Sequence, residues 1–371
     1  MGFLTHRPYL AGKVRTITAS ICAGFLCVST ASCTSEEANT THSSGIAHLK
    51  MADSYSLKHP VGEGGTEPFI DKMDREPTIE IEYFASGQLG KQTDMPSIIR
   101  SGLADMGVIS PSYVSSTFPL SSVGDLPGFS SDSCVTAYAL RDLVRPGGIL
   151  YETELKKMKF LPLWTGSIPG YEAMTGGKSP ATPKSFEGAV LRSTGGALDR
   201  VIDQLGAAGV AMPIGDMYEA MARGTVEGTL ASPISITPYG LEEVVTDSTL
   251  GAAQGNFTFF YGINLDTWNS LTSAQQHKLQ DAAQQSQQSV CTKLNESRDA
   301  SIEEMKKAGV RFHDVSANRG EWEKTSTPVL QHWIEDAEKV GLPASAVVRE
   351  FKSALERHAH RSESDGHAQK G

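Results

Sequence analysis

Cysteine is scarce: five in 371 residues, at positions 22, 27, 33, 134 and 291, with no Cys-x-x-Cys among them. A tetrahedral zinc site therefore cannot be assembled from cysteine pairs. Charge is thin as well. Only 20% of residues are Asp, Glu, Lys or Arg, and the 33 Lys+Arg are outnumbered by 43 Asp+Glu and form no dense run. Nucleic acid, whose phosphates demand clustered cations, is excluded as a partner. Beyond the first few dozen residues no apolar run approaches the about 20 residues that a membrane-spanning helix needs. The patterns G-x-S-x-G, H-E-x-x-H and G-x-x-x-x-G-K-[ST] are absent, which removes the commonest hydrolase, zincin and P-loop signatures. No catalytic residue, metal or cofactor is expected.

What the chain does have begins at its N-terminus. Arg7, Lys13 and Arg15 precede an uncharged stretch, 16–32, that holds Ile17, Ile21, Phe25, Leu26 and Val28. This is the layout of an export signal. Thr30-Ala31-Ser32 then leads into Cys33, which resembles a bacterial lipobox with Thr30 at the usually aliphatic position. We expect residues 1–32 to be a lipoprotein-type signal peptide, Cys33 to be the lipidated mature N-terminus, and 33–45 to be a flexible polar tether. Export permits Cys134 and Cys291 to pair, but the sequence carries no measure of their separation.

The body, at 39% hydrophobic residues overall, alternates strand and helix. Ile79, Ile81 and Tyr83 alternate with Glu80 and Glu82, a half-buried strand; 160–164, 189–194 and 257–263 are further short apolar runs. Helical patterns cover 132–144, 196–205 and 216–222, so the fold class is α/β. One unit repeats. Ile99-Arg100-Ser101-Gly102-Leu103-Ala104-Asp105-Met106 is echoed by Met221-Ala222-Arg223-Gly224-Thr225-Val226-Glu227-Gly228. Each reads as a helix ended by glycine, then an acid, then a short strand, and two such units imply two similar lobes. Thr272 and Gln275 form a capping box opening a helix over 272–308, about 55 Å long, enough to run along both lobes. Terminal helices are expected over 316–358, with a disordered tail over 359–371.

Three motifs could carry chemistry. Gly62-Glu63-Gly64-Gly65-Thr66 joins no clear strand to a helix and is expected to be a mobile loop rather than a phosphate cradle. His358, His360 and His367 are expected to be solvated in the polar tail. Arg192 stands apart. It ends a strand and is followed by Ser193-Thr194-Gly195-Gly196 and a helix, so its planar fork and the helix start together form an anion site. The alternative is a structural salt bridge.

Phe84-Ala85-Ser86-Gly87-Gln88-Leu89-Gly90, the Ile99–Met106 segment, Leu126-Pro127 and Thr182-Pro183-Lys184-Ser185-Phe186-Glu187-Gly188 appear in that order. They are followed by Met212-Pro213, Asp216-Met217-Tyr218-Glu219, Arg223-Gly224-Thr225-Val226-Glu227-Gly228 and Asn264-Leu265-Asp266-Thr267-Trp268. Over roughly 46–315 the order resembles the substrate-binding proteins of tripartite ATP-independent periplasmic (TRAP) transporters. The resemblance implies a two-lobe periplasmic-binding-protein (type II-like) fold. Lobe I would be 46–165 with return segments near 255–315, and lobe II 166–254. It implies an extracytoplasmic, monomeric receptor that closes on a small organic carboxylate and presents it to membrane permease subunits. Arg192 matches the family's carboxylate-pairing arginine, Lys178 falls at a second-cation position, and Ser110 and Asn264 fall at cleft-lining positions. Leu230 and Ala231, where the family often has a polar or aromatic residue, together with Phe257, are expected to line the pocket and to favour a monocarboxylate with a hydrophobic body. A secreted enzyme on a bilobal scaffold and a sensor lipoprotein without a transport role are the alternatives.

Overall fold

The computed structural model describes residues 45–368, so the signal, Cys33 and the tether to residue 44 lie outside the described residues. Chain order begins β1 (Ala47–Ala52), α1 (Glu67–Met73), β2 (Ile79–Phe84), α2 (Met95–Arg100), β3 (Met106–Ile109), α3 (Ser133–Val144) and β4 (Phe160–Ile168). It continues with β5 (Glu172–Thr175), β6 (Val190–Ser193), α4 (Ala197–Gln204), β7 (Ala208–Ala211), α5 (Met217–Ala222), β8 (Gly228–Ala231) and β9 (Asp247–Leu250). Last come β10 (Phe257–Asn264), α6 (Leu265–Ser270), α7 (Ser273–Lys307), β11 (Arg311–Asp314), α8 (Arg319–Lys339) and α9 (Ala344–Ala368).

Two sheets form, in the orders β2-β1-β3-β10-β4 and β11-β9-β5-β8-β6-β7. In the first, β1 runs parallel to β2 and β3, and β10 is antiparallel to β3 and β4. All eight residues of β10 are buried, which is why its sequence reads as an unbroken apolar run instead of an alternating one. In the second sheet β6 is parallel to β7 and β8, while β5 is antiparallel to β8 and β9. The repeated unit has the same geometry in both. α2 ends at Gly102 (φ 75°) before β3, and α5 ends at Gly224 (φ 69°) before β8. The echo also runs on past the strands, as Ser110-Pro111 after β3 and Ser232-Pro233 after β8.

The chain crosses between sheets at 169–171 and returns at 251–256. Tyr171 N donates to Gly255 O and Gln254 N to Tyr171 O, each at 2.9 Å, so the two crossings are laced together. α7 is the third connection. Thr272 and Gln275 cap it reciprocally as the sequence pattern required. Leu279 and Val290 pack in the first core, and Met305 in the cluster of Met174, Met217, Ile236 and Leu241 beneath the second sheet. Its glutamine-rich middle has a structural use. Fully buried Gln287 accepts from Thr165 N at 2.8 Å and donates to Thr165 O at 3.0 Å, completing the edge of β4. A disulfide joins Cys134 on α3 to Cys291 on α7, with Cα atoms 4.7 Å apart.

Four sequence expectations are corrected. β11 leaves the first lobe and pairs with β9 of the second sheet, because α7 delivers it there. Residues 62–66 are a helical turn leading into α1, not a mobile loop. Gly64 presses so closely on α7 that an added Cβ would lie 2.7 Å from Lys293 Cβ. α9 continues to Ala368 instead of stopping near 358. Finally, His358 is tied at 3.1 Å to Asp142 and stacked on Tyr138, not solvated. Among the described residues no helix is long and apolar enough to cross a membrane.

Candidate functional site

β3, β6 and β8 end at Ile109, Ser193 and Ala231 and lead directly into the loops that face one another between the sheets, the usual position for a ligand in open α/β sheets. From the second lobe comes Arg192, 1% exposed. Its Nε donates to Met212 O at 3.0 Å, which fixes the plane of the guanidinium, and one terminal nitrogen donates to Tyr113 Oη of the first lobe at 2.6 Å. Tyr113 Oη also accepts from Ile214 N at 3.2 Å. The turn after β6 comes close to the first lobe. Gly195, at φ 87°, lies where a Cβ would be 3.0 Å from Ser112 O, so only glycine fits without a shift.

Arg192 is the only Lys or Arg among the described residues that is buried, and no Asp or Glu among them pairs with it. An unpaired cation in a dry site is costly. The structural salt bridge that the sequence left open is therefore not what holds this residue.

The Tyr113 ring lies with its centroid 5.7 Å from Arg192 Cζ. Tyr113 packs edge-on to Phe257, with centroids 5.2 Å apart, and Tyr171 lies parallel to the same ring at 6.5 Å. Tyr55 lies 4.7 Å from His59, which in turn lies 5.9 Å from Tyr239 of the second lobe. His59 bridges the lobes through Ser235 Oγ at 3.1 Å, and Lys91 bridges them at the rim through Asp216 at 2.9 Å. Two acids sit behind these walls. Asp53, sealed by Thr66, Tyr83 and Tyr261, is pushed by burial up to about 6, and Asp125, sealed by Ser112 and Thr258, up to about 7.

A family model described as bacterial extracellular solute-binding protein, family 7, matches residues 52–336. The chain belongs to this family. Among curated relatives, the family-7 chain is 24% identical over 310 residues to the C4-dicarboxylate-binding periplasmic protein DctP of Rhodobacter capsulatus, covering 81% of this chain and 90% of that one. Among solved structures it is similar to a TRAP solute-binding protein from Rhodoferax ferrireducens in complex with copurified benzoate. There the TM-score is 0.78 at 17% identity, over 85% of this chain and 99% of that one. It is also similar to a marine-metagenome TRAP solute-binding protein specific for aromatic acid ligands, solved with metahydroxyphenylacetate. That match has a TM-score of 0.77 at 19% identity, over 84% and 99%. The family-7 fold is thus this protein's two-lobe fold.

Of the residues singled out in the sequence, Arg192, Ser110 and Phe257 meet around Tyr113: Arg192 bonds its hydroxyl, Ser110 opens its turn and Phe257 packs on its ring. Ser110 opens the loop that carries Tyr113, and its buried Oγ has no hydrogen-bond partner. Lys178 is elsewhere. It follows the C-terminal end of β5, opposite the cleft end of the sheet because β5 runs antiparallel to β8, and there it pairs on the surface with Glu227. Asn264 ends β10 at the far end from Phe257. Its side chain is spent capping α6 through Asp266 N and Thr267 N and bonding Ile99 O. Leu230 and Ala231 are buried on opposite faces of β8 in different core clusters. Tyr113, Tyr55, His59 and Tyr239 were missed because they lie in irregular segments where no periodicity marks them.

Proposed function

We propose that this family-7 protein is an exported, monomeric receptor that closes two lobes around a small organic carboxylate and delivers it to a TRAP permease without chemistry. One observation carries the reading: a buried guanidinium, aimed by Met212 O, with no carboxylate among the described residues to pair with it. A ligand carboxylate supplies the missing charge in the planar geometry that a guanidinium prefers. The ligands of the similar proteins, a C4-dicarboxylate, benzoate and metahydroxyphenylacetate, are all carboxylates. Cys33 would tether the receptor to the membrane through lipid, with permease subunits as its protein partners. Mass spectrometry of small molecules released by denaturing the purified protein tests the reading. A carboxylic acid at one-to-one stoichiometry is expected, and a released ligand without an acidic group would overturn it.

A further inference from the structure

One buried carboxylate lies between the hinge and the turn that carries Tyr113. The return crossing, 251–256, is gripped at both ends. At its second-lobe end Glu172 accepts from Gly251 N and from Ala252 N, each at 3.0 Å. At its first-lobe end Asp125 Oδ1 accepts from Thr258 N at 2.5 Å and from Thr258 Oγ1 at 2.6 Å, and the Asp125 carbonyl accepts from Asn256 N at 3.4 Å. Between the grips lie Ala253 at φ 49° and Gly255 at φ 127°. A non-glycine residue at positive φ is strained and persists only where its surroundings hold it. Gly255 is boxed in as well, since a Cβ there would lie 2.6 Å from Asp125 O. Hinge rotation between two lobes is absorbed by a few such connecting residues.

The other oxygen of Asp125 turns to the site. Its Oδ2 accepts from Ser112 Oγ. Ser112 adjoins Tyr113, whose hydroxyl accepts from Arg192 and from Ile214 N of the other lobe. Ser112 O also lies 3.0 Å from where a Cβ on Gly195 would sit, in the turn that follows Arg192. A second contact runs alongside, because the Tyr113 ring packs on Phe257, the neighbour of Thr258. Asp125, Ser112 and Thr258 are all buried. An acid taken out of water is costly, and the donors on its two oxygens offset that cost. Separating Ser112 from Thr258 would leave one oxygen unpaired in a dry site, so the carboxylate holds the Tyr113 turn and the end of the crossing as one unit.

Resting on the lobe closure proposed above, we infer that Asp125 is a positioning residue that couples the return crossing to the Tyr113 turn, so that rotation at 253–255 is delivered to the Arg192 guanidinium. It acts through Ser112. Hydrogen exchange at the Ile214 amide of the ligand-free mature protein, resolved by NMR, tests this, because Tyr113 Oη holds that N–H from the other lobe. Tyr113→Phe should speed the exchange. Ser112→Ala leaves Tyr113 in place and should speed it by about 3- to 10-fold, as should Asp125→Ala, while amides of α1 keep their wild-type rates. Ser112→Ala/Tyr113→Phe should exchange no faster than Tyr113→Phe alone, since both changes break one path. Where Asp125→Ala folds poorly, Ser112→Ala decides, because it removes only the bond that the two residues share. Wild-type exchange at Ile214 in Ser112→Ala, beside faster exchange in Tyr113→Phe, overturns the coupling and leaves the bond between the lobes standing. Equal acceleration at Ile214 and in α1 shows a residue serving stability alone, which overturns the coupling too. Wild-type exchange in Tyr113→Phe as well overturns the bond between the lobes and the inference with it. The carboxylate reading fails separately, on the molecule released from the purified protein.

Discussion

The Tyr113 hydroxyl of the first lobe accepts a hydrogen bond from the Arg192 guanidinium of the second at 2.6 Å. With the Lys91–Asp216 and His59–Ser235 contacts, this bond ties the two lobes together. Tyr113→Phe keeps the ring against Phe257 but removes the link to Arg192 and to Ile214 N. Ligand-free Tyr113→Phe should be more expanded than ligand-free wild type by small-angle scattering, because hinge opening is then less opposed. Superimposable curves would show that the hydroxyl does not hold the lobes.

Substitution of Arg192 separates charge from geometry. Arg192→Lys keeps the cation but loses both the Nε bond to Met212 O and the planar fork. Affinity for the bound carboxylate should fall by roughly 10- to 150-fold, the equivalent of about 1.5 to 3 kcal/mol, and Arg192→Ala should cost more. Removing an unpaired buried charge should not lower the melting temperature much in the alanine variant, whereas a residue serving only stability would show the reverse. Calorimetry paired with thermal melts reads both quantities, and wild-type affinity in Arg192→Lys removes the residue from the site.

How much of this was legible in the sequence depended on whether a residue's role is expressed locally. β10 announced itself because burial on both faces forces consecutive apolar residues, and α7 because Thr272 and Gln275 cap it through contacts three residues apart. The strand and the helix on either side of the Ser-Thr-Gly-Gly turn at Arg192 were legible in the same way. Asn264 was assigned to the cleft although Asn followed by Leu-Asp-Thr carries an N-cap signal, and capping is what it does. Tyr113 and His59 could not be read, since their partners Arg192 and Ser235 are 79 and 176 residues away. The one available clue was the Ser-Pro echo after β3 and β8, which marks both loops as facing the cleft.

The Cys134–Cys291 bridge closes a loop across a separation of 157 residues between α3 and α7. Such a crosslink restricts the unfolded chain most when the loop is long, and its removal costs about 2 to 5 kcal/mol. Cys134→Ala/Cys291→Ala should lose stability of that order in urea denaturation, and wild type under reducing conditions should lose a similar amount. Neither cysteine touches Arg192 or Tyr113, so ligand affinity should stay within about two-fold. Two free thiols in the oxidised wild-type protein would contradict the bridge.

The proposed membrane anchor is lipid on Cys33; among the described residues no helix is long and apolar enough to cross a bilayer. If the cysteine is lipidated, Cys33→Ala should move the protein from the membrane to the soluble fraction, since the anchor depends on the acyl chains. Equal membrane retention of both proteins by fractionation would refute the anchor.

His59 links pH to the closed fold. Val61 N donates to its Nδ1 at 3.1 Å, so the ring proton sits on Nε2 and points to Ser235 Oγ of the other lobe. A second proton on Nδ1 would break the first bond and charge a fully buried ring flanked by Tyr55 and Tyr239, and burial accordingly pushes the imidazole down to about 3. The unfolded chain, with an ordinary histidine near 6.5, binds the proton more readily than the folded one. The stability contributed by neutral His59 is therefore fully present above about pH 6.5 and is lost as pH falls toward 3. Buried Asp53 and Asp125 act with the opposite sign, since their raised values make the folded state the better proton acceptor and their contribution is lost as pH rises through about 6 and 7. The comparison must therefore be a difference between two proteins that share both acids. His59→Gln keeps a donor toward Ser235 without a titrating ring, so the stability advantage of wild type over this variant should narrow by about 2 to 3 kcal/mol between pH 7.5 and 4.5, at up to about 1.4 kcal/mol per pH unit below 6.5. Urea denaturation of both proteins across that range measures it, and an advantage that stays constant with pH would mean that His59 is not held neutral by the fold.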